Sequence, residues 1–331
     1  MGRGPTKEYY IAMNENYVEG SLTNLKPEVI RKRITKEFPL VLNIDPTNAC
    51  NAFCYYCARE QVIKEQGIST LSLETFKKII DQVGNNKLIM INLHKDGEPL
   101  LNKDLPDMVE YALQKDAAEI IHLNTNGTLI NNKTGRGIIE RGIHDITVSI
   151  DASYEETYYK LKKLKNLDKL ERDVVEAIEF RNSINSPTKI RLKIMEFQDV
   201  TKEEIDHFIK KWTGVADEVQ VTGVHSWSGA IDGFEITDEK SEKRYPCALL
   251  WYALAINSNG AVSICNVDWD YSGVVGNIHE QTIKEIWNSD RLNEIRKAQL
   301  NGVWNVPKVC EKCVVWVSSG DQSEVFLEKK F

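Results

Sequence analysis

The chain of 331 residues is 42% hydrophobic and 27% charged, with a formal net charge of −7. That length suggests about two domains, and the acidic balance argues against a nucleic-acid binder, whose footprint is basic. No apolar run approaches the roughly 20 residues of a membrane helix, and Met1-Gly2-Arg3-Gly4-Pro5 leads into polar sequence rather than a signal core. A cytoplasmic protein with no membrane or nucleic-acid partner is expected.

Residues 1–38 are mixed and charged, carry no usable motif, and read as an N-terminal extension. From Pro39 short apolar runs alternate with stretches of helical period, the signature of repeated βα units. The first run, Leu40 to Ile44, ends at Asp45-Pro46-Thr47, and its helix starts near Ser72, a plausible N-cap. Leu88 to Leu93 leads to Asp96-Gly97-Glu98-Pro99, and Ile120 to Leu123 runs into Asn124-Thr125-Asn126-Gly127. Ile146 to Asp151 precedes a long helix with Leu170, Val174, Val175 and Ile178. Ile190 to Ile194 and Val219 to Val221 complete the set. Six such units predict an α/β fold, a partial (β/α)6 barrel over residues 39–235. Every polar motif falls at a strand's carboxyl end, where such sheets carry their chemistry.

Beyond residue 235 the pattern changes, and 236–331 read as a small C-terminal domain. Ala248 to Ile256, the turn Asn257-Ser258-Asn259-Gly260 and Ala261 to Cys265 predict a β-hairpin. Thr282 to Leu300 has helical period.

Seven cysteines fall in two sets, Cys50, Cys54 and Cys57, then Cys247, Cys265, Cys310 and Cys313. An odd number with no secretion signal fits a disulfide framework poorly. Three thiolates on one short loop can hold three irons of a [4Fe–4S] cluster and leave the fourth open for a ligand. The four C-terminal cysteines suffice for a second, fully ligated cluster. Structural zinc is the alternative for each set, and the C-x-x-C of Cys310 and Cys313 is also a zinc-knuckle pattern.

The loop Cys50-Asn51-Ala52-Phe53-Cys54-Tyr55-Tyr56-Cys57 resembles the signature of radical S-adenosylmethionine (SAM) enzymes, which have an aromatic residue at the position of Tyr56. The resemblance implies that the open iron binds SAM and that a 5′-deoxyadenosyl radical takes a hydrogen atom from the substrate. Gly97-Glu98-Pro99 is similar to the family's G-G-E-P element, with Glu98 implied as acceptor for the SAM ammonium. Asp96 stands in place of the first glycine, so a Cβ occupies that position. Asn126 is implied near the ribose, and Ser149 and Asp151 near the SAM carboxylate or ribose. The C-terminal segment resembles the shortened auxiliary-cluster domain, called twitch, of the SPASM/twitch branch. The implied cofactors are SAM and two [4Fe–4S] clusters.

The branch includes enzymes that oxidise a cyclitol alcohol to a ketone. With all seven cysteines assigned as ligands, no thiol is spare to return a hydrogen atom to a substrate radical. Oxidation with the second cluster as electron acceptor is therefore favoured over epimerisation of a sugar. Maturation of a ribosomal peptide is a further alternative, disfavoured because only some forty residues precede the barrel, where a peptide-recognition domain takes about twice that. The expected substrate is a small polyol or sugar, as in antibiotic biosynthesis, and the expected reductant a flavodoxin or ferredoxin. Loss of the hydroxyl proton needs a base, for which His225 is the candidate, with His94 and Glu196 as competitors. Trp227, Trp251 and Trp269 read as core packing before sugar stacking. The run Lys160 to Lys165 reads as a solvated helix face, with docking of an acidic carrier as the sharper alternative.

Overall fold

The computed structural model describes residues 25–223, 227–231 and 244–329. After α1 (Pro27–Arg33) come β1 (Val41–Ile44), α2 (Arg59–Gln66), α3 (Leu73–Asp81), β2 (Leu88–Asn92), α4 (Leu105–Gln114) and β3 (Ala118–Thr125). Next are α5 (Lys133–Glu140), β4 (Asp145–Ser149), α6 (Glu155–Lys162), α7 (Leu167–Ser183), β5 (Lys189–Glu196), α8 (Lys202–Trp212) and β6 (Glu218–Gly223). The C-terminal part adds β7 (Ala253–Ile256), β8 (Ala261–Ser263), β9 (Val274–Asn277), α9 (Ile283–Trp287), α10 (Asp290–Leu300) and α11 (Ser323–Glu328).

Among the described residues these strands form one sheet, ordered β6-β5-β4-β3-β2-β1-β7-β8-β9. The first six are parallel and make the unclosed barrel expected from the sequence. The expected hairpin is present as antiparallel β7 and β8, but it is no detached appendage. β7 pairs in parallel with β1, in register Val41↔Ala253 to Ile44↔Ile256, so the C-terminal strands extend the barrel sheet. The expected domain boundary near 235 lies outside the described residues.

The two faces of the sheet differ, as strand alternation requires. Leu42, Ile44, Ile91, Leu93, Ile121, Leu123, Ile146, Val148, Leu192 and Ile194 are fully buried in the hydrophobic core. The alternate positions, Asn43, Asn92, His122, Thr147 and Arg191, are equally buried but polar. The first four satisfy one another across the strands, and Arg191 pairs with Asp145 and Glu218. Asn92 Nδ2 donates to Asn43 Oδ1 at 2.8 Å, and His122 lies 3.0 Å from Asn92 Oδ1 and 3.2 Å from Thr147 Oγ1. The inner face therefore has a polar floor near the middle of the strands.

Local signals fix most boundaries. Ser72 caps α3 by accepting from Thr75 N at 3.1 Å, as its place in the sequence indicated. The stretch Thr282–Leu300 is two helices rather than one, because Ser289 caps α10 anew by accepting from Leu292 N. The lysine run is not one helix face either. α6 stops at Lys163, whose φ of 56° is left-handed, and α7 starts after Asn166.

Trp251 is fully buried and stacks on Phe326 of α11, centroids 4.0 Å apart and rings 1° from parallel. It is a core residue and no sugar platform. Phe326→Ala should cost about 3–5 kcal/mol in urea unfolding; a loss under about 1 kcal/mol, typical of a surface change, would show that α11 does not seal this core.

Candidate active site

The cysteine loop leaves the end of β1 and is held by backbone hydrogen bonds to the end of α6. Phe53 N donates to Lys162 O at 3.0 Å and Tyr55 N to Leu161 O at 3.2 Å. Within the loop, Cys57 N donates to Cys54 O, and Ala52 N approaches Cys50 Sγ at 3.5 Å. Burial pushes all three thiols up, with Cys54 and Cys57 close enough that ionising one opposes the other; Cys57 reaches about 12. Neighbouring thiols of this kind ionise together only when a metal centre displaces their protons.

The element after β2 meets the start of this loop. A Cβ on Gly97 would lie 2.1 Å from Thr47 O and 2.4 Å from Ala49 O, so only glycine fits. Glu98 N donates to Ala49 O at 2.8 Å. The Glu98 carboxylate is buried and already accepts from Thr125 Oγ1 at 2.6 Å, Asn126 N at 2.7 Å and Leu100 N at 3.1 Å. It thus anchors the turn after β3. Asn126 in turn donates to Asn51 Oδ1 at 2.8 Å, joining that turn to the cysteine loop.

The lysine run contains the residue that sequence reasoning missed. Lys160, Lys163 and Lys165 are exposed, but the Lys162 side chain is 2% exposed and its Nζ lies 3.0 Å from Asp151 Oδ2. The same ammonium donates to the backbone oxygen of Ser149. A solvated face is therefore wrong at this position, because the chain reverses at Lys163 and points Lys162 into the strand ends. Burial opposes the charge on Lys162, but Asp151 and Cys54 outweigh it and raise its pKa. Asp151, at φ 62°, also accepts from Tyr56 OH at 3.1 Å. Its Oδ1 is buried without a partner among the described residues. Ser149, Asp151, Tyr56, Glu98 and Asn126 thus all stand at the open end of the barrel beside the cysteine loop.

A second buried charge cluster joins this end to the C-terminal strands. Lys95 pairs with Asp96 at 2.5 Å, both side chains essentially unexposed, and Asp96 N donates to Asp45 Oδ1 at 3.4 Å. The side chain that replaces the expected glycine is thus spent on an internal ion pair. Burial, then the Asp96 charge, pushes Asp45 up to about 7. Asp268, between β8 and β9, is raised by burial to about 6. No sequence signal other than the acidic side chains themselves marks this convergence.

Cys247, Cys265, Cys310 and Cys313 line one cavity together with Arg244 and Trp316. Val315 N donates toward Cys313 Sγ at 3.4 Å, and Arg244 stacks its guanidinium over Trp304 at 4.8 Å. Burial, then the Cys313 charge, pushes Cys247 up to about 12. Among the described residues no three His, Cys, Asp or Glu side chains close on a single-ion site. Four thiols spread around one cavity suit a polynuclear iron–sulfur cluster, in which each iron takes one cysteine.

Of the remaining candidates, His225 lies outside the described residues. Glu196 is exposed at the end of β5. His94 accepts from Asn124 N at Nδ1, 3.2 Å, and burial lowers it to about 3, so the ring is neutral. Trp227 donates from Nε1 to Tyr56 O at 2.9 Å, tying it to the cysteine loop, and Trp269 packs half-buried against the core.

An incomplete parallel barrel with a three-cysteine loop after its first strand, extended by a four-cysteine cavity, defines a class of iron–sulfur enzyme. The sequence matches the radical SAM superfamily over residues 44–211 and the iron–sulfur cluster-binding SPASM domain over residues 247–314. The chain belongs to the radical SAM superfamily. That membership brings a [4Fe–4S] cluster and SAM, and the SPASM match brings auxiliary iron–sulfur binding. The GTP 3′,8-cyclase of Staphylococcus epidermidis is 28% identical over 163 residues, 47% of this chain and 46% of its own. A probable GTP 3′,8-cyclase of Methanococcus maripaludis is 30% identical over 133 residues, 40% of this chain and 43% of its own. The chain thus spans about half the length of the curated relatives it matches. Among solved structures, BtrN in complex with AdoMet and 2-DOIA superposes with TM-score 0.58 at 20% identity, covering 83% of this chain and 92% of that one. SuiB of Streptococcus suis bound to the precursor peptide SuiA gives 0.65 at 16% identity, over 88% and 73%. At these identities the likeness is one of fold. Among the described residues no helix is long and apolar enough to cross a membrane.

Two predictions follow from the buried charges. Lys162→Met strands the Asp151 carboxylate and should cost about 3–5 kcal/mol, read by denaturant unfolding of the metal-free protein; an unchanged midpoint would remove the pair from the fold. Because Asp45 holds its proton more firmly folded than unfolded, its contribution favours folding at low pH and is lost as pH rises from about 4 to about 7. Asp45→Asn mimics the protonated acid, so its Tm should fall less than the wild type's between pH 5 and pH 8. Parallel curves would contradict this assignment.

Proposed function

We propose that the protein is a radical SAM dehydrogenase that oxidises a secondary alcohol of a carbohydrate or aminocyclitol to a ketone. An auxiliary [4Fe–4S] cluster in the four-cysteine cavity serves as electron acceptor. The observation that carries this reading is the placement of the thiols. Three lie on the barrel loop, four line the C-terminal cavity, and none is left to return a hydrogen atom to a substrate radical. When bound, SAM and its reduced cluster supply the radical that removes hydrogen from the carbinol carbon.

The chain's own residues have distinct tasks in this reading. Cys50, Cys54 and Cys57 hold the SAM cluster, and Cys247, Cys265, Cys310 and Cys313 the acceptor. Gly97 leaves room for close backbone approach, while Glu98 fixes the β3 turn by accepting from Thr125 Oγ1 and Asn126 N and so positions Asn126. The unpartnered Asp151 Oδ1, with Tyr56 and Lys162 fixing the other oxygen, is available to a ribose hydroxyl or ammonium. The substrate reading is supported by the half-buried polar residues nearer the strand ends, His94, Asn124 and Ser149, whose imidazole, amide and hydroxyl match a hydroxylated ring. The BtrN structure also holds 2-DOIA in a similar fold. A flavodoxin or ferredoxin is the proposed reductant.

A panel of hexitols and aminocyclitols deuterated at each carbinol carbon tests the reaction. One deuterium should appear in 5′-deoxyadenosine for each ketone formed, with one SAM consumed. Solvent hydrogen entering an inverted carbinol carbon would favour the epimerase, and turnover of peptides or GTP alone would reject an alcohol substrate.

A further inference from the structure

Among the described residues a single charged side chain, Arg244, lines the four-cysteine cavity. It stands three residues before Cys247 and reaches the C-x-x-C segment, where one terminal nitrogen donates to Glu311 O at 2.9 Å and the other to Cys310 O. Its guanidinium lies over two indoles, 4.8 Å from the Trp304 centroid and 5.8 Å from that of Trp316. Trp316 is held in turn by Tyr245, edge-on at 4.7 Å, whose hydroxyl donates to Val317 O at 2.9 Å. Two carbonyls and two aromatic faces thus hold the charge beside the thiols.

This anchoring leaves two properties of Arg244 unused. The first is its charge. Arg191, the buried arginine of the barrel, is paired with Asp145 and Glu218, whereas Arg244 makes no ion pair among the described residues. The groups that face it are thiols: burial lowers its pKa, and the charges of Cys313, Cys310 and Cys247 oppose that. A guanidinium stays protonated in such a place, so the charge is permanent. The second is Nε, which is buried and makes no hydrogen bond among the described residues. Buried donors are ordinarily satisfied and buried charges ordinarily balanced. A cluster held by four thiolates is net negative and rich in sulfur acceptors, and it answers both.

We propose that Arg244 sets the reduction potential of the cluster in this cavity, its fixed charge and its Nε–H favouring the reduced form so that the cavity accepts an electron. This rests on the dehydrogenase reading, in which the second cluster takes that electron from the substrate radical, and names the residue that suits it to the task. Reduction makes the cluster more negative by one charge, and a permanent cation on the cavity wall stabilises that form over the oxidised one. Arg244 touches no substrate and acts only through the cluster. Asp268, which faces Cys265 and Cys310, is the opposing charge. Lys312, between the two cysteines of the C-x-x-C, is exposed, so solvent and salt screen it.

The full chain carrying Cys50/Cys54/Cys57→Ala isolates the second cluster, and an EPR-monitored redox titration reads its midpoint. Adding Arg244→Met should lower the one-electron equilibrium for reduction at least tenfold, a fall of about 59 mV. Arg244→Lys keeps a charge but loses the fork, so its midpoint should fall less. Lys312→Met removes a screened charge from the same segment and should shift the midpoint less than Arg244→Met does. A midpoint unmoved by Arg244→Met, or a shift matched by Lys312→Met, overturns the proposal. A second measurement leaves Arg244 in place. The same triple variant grown with arginine isotopically labelled at nitrogen should show a nitrogen hyperfine coupling to the reduced cluster in pulsed EPR. Its absence overturns the proposal even where the Arg244 variants lose iron. If the triple variant holds zinc and no iron, the two-cluster reading itself fails and takes the proposal with it, whereas iron with an unmoved midpoint defeats the proposal alone.

Discussion

The open end of the barrel depends on one buried ion pair, Lys162 with Asp151. The ammonium lies against the Asp151 carboxylate and the Ser149 backbone oxygen, so it binds the end of α6 to the end of β4. The same turn of helix accepts the backbone N–H groups of Phe53 and Tyr55, and Asp151 accepts the Tyr56 hydroxyl. One charge pair thereby fixes the helix, the strand end and the cysteine loop relative to one another. An isolated charge could not occupy this place, because desolvation would exceed what one hydrogen bond returns. The position of the three thiols on the barrel loop is in this sense set from 105 residues further along the chain, the separation of Lys162 from Cys57.

The second structural constraint is the continuity of the sheet. Because β7 pairs with β1, the C-terminal strands extend the barrel sheet rather than hang from a linker. Asp45 leaves β1 at the seam, with Lys95 and Asp96 on one side and the loop bearing Asp268 on the other. Burial and then the Asp96 charge raise Asp45, and burial raises Asp268, while the Lys95 charge pulls both the other way. The relation between the barrel loop and the four-cysteine cavity is therefore carried by hydrogen-bonded strands and a charge cluster.

Much of this was legible in the sequence, for reasons that can be located. The strands announced themselves because their outer faces need apolar side chains, and the cysteines because metal chemistry needs fixed spacing at strand ends. Gly97 was legible as part of a motif, and its 2.1 Å approach to Thr47 O gives the reason. What stayed hidden depends on long-range packing. Nothing local distinguishes Lys162 from Lys160 or Lys163; only the left-handed turn at Lys163 and the strand end it faces bury one and expose the others. The same holds for Arg244, which carries no motif and meets the backbone of Cys310 and Glu311 only through the fold of the C-terminal part. The break at Ser289 was local and readable, since Ser-Asp is a capping signal, but the apolar period on either side obscured it.

The central claim is that the protein holds two clusters, of which the second accepts the substrate's electron. The most direct measurement is iron content and Mössbauer spectroscopy of the anaerobically prepared Cys50/Cys54/Cys57→Ala triple variant. The two-cluster account predicts about four irons per chain, with the isomer shift of a fully cysteine-ligated [4Fe–4S] cluster. A variant that retains zinc and no iron would contradict it, leaving the four-cysteine cavity a structural site and the alcohol oxidation without an electron acceptor.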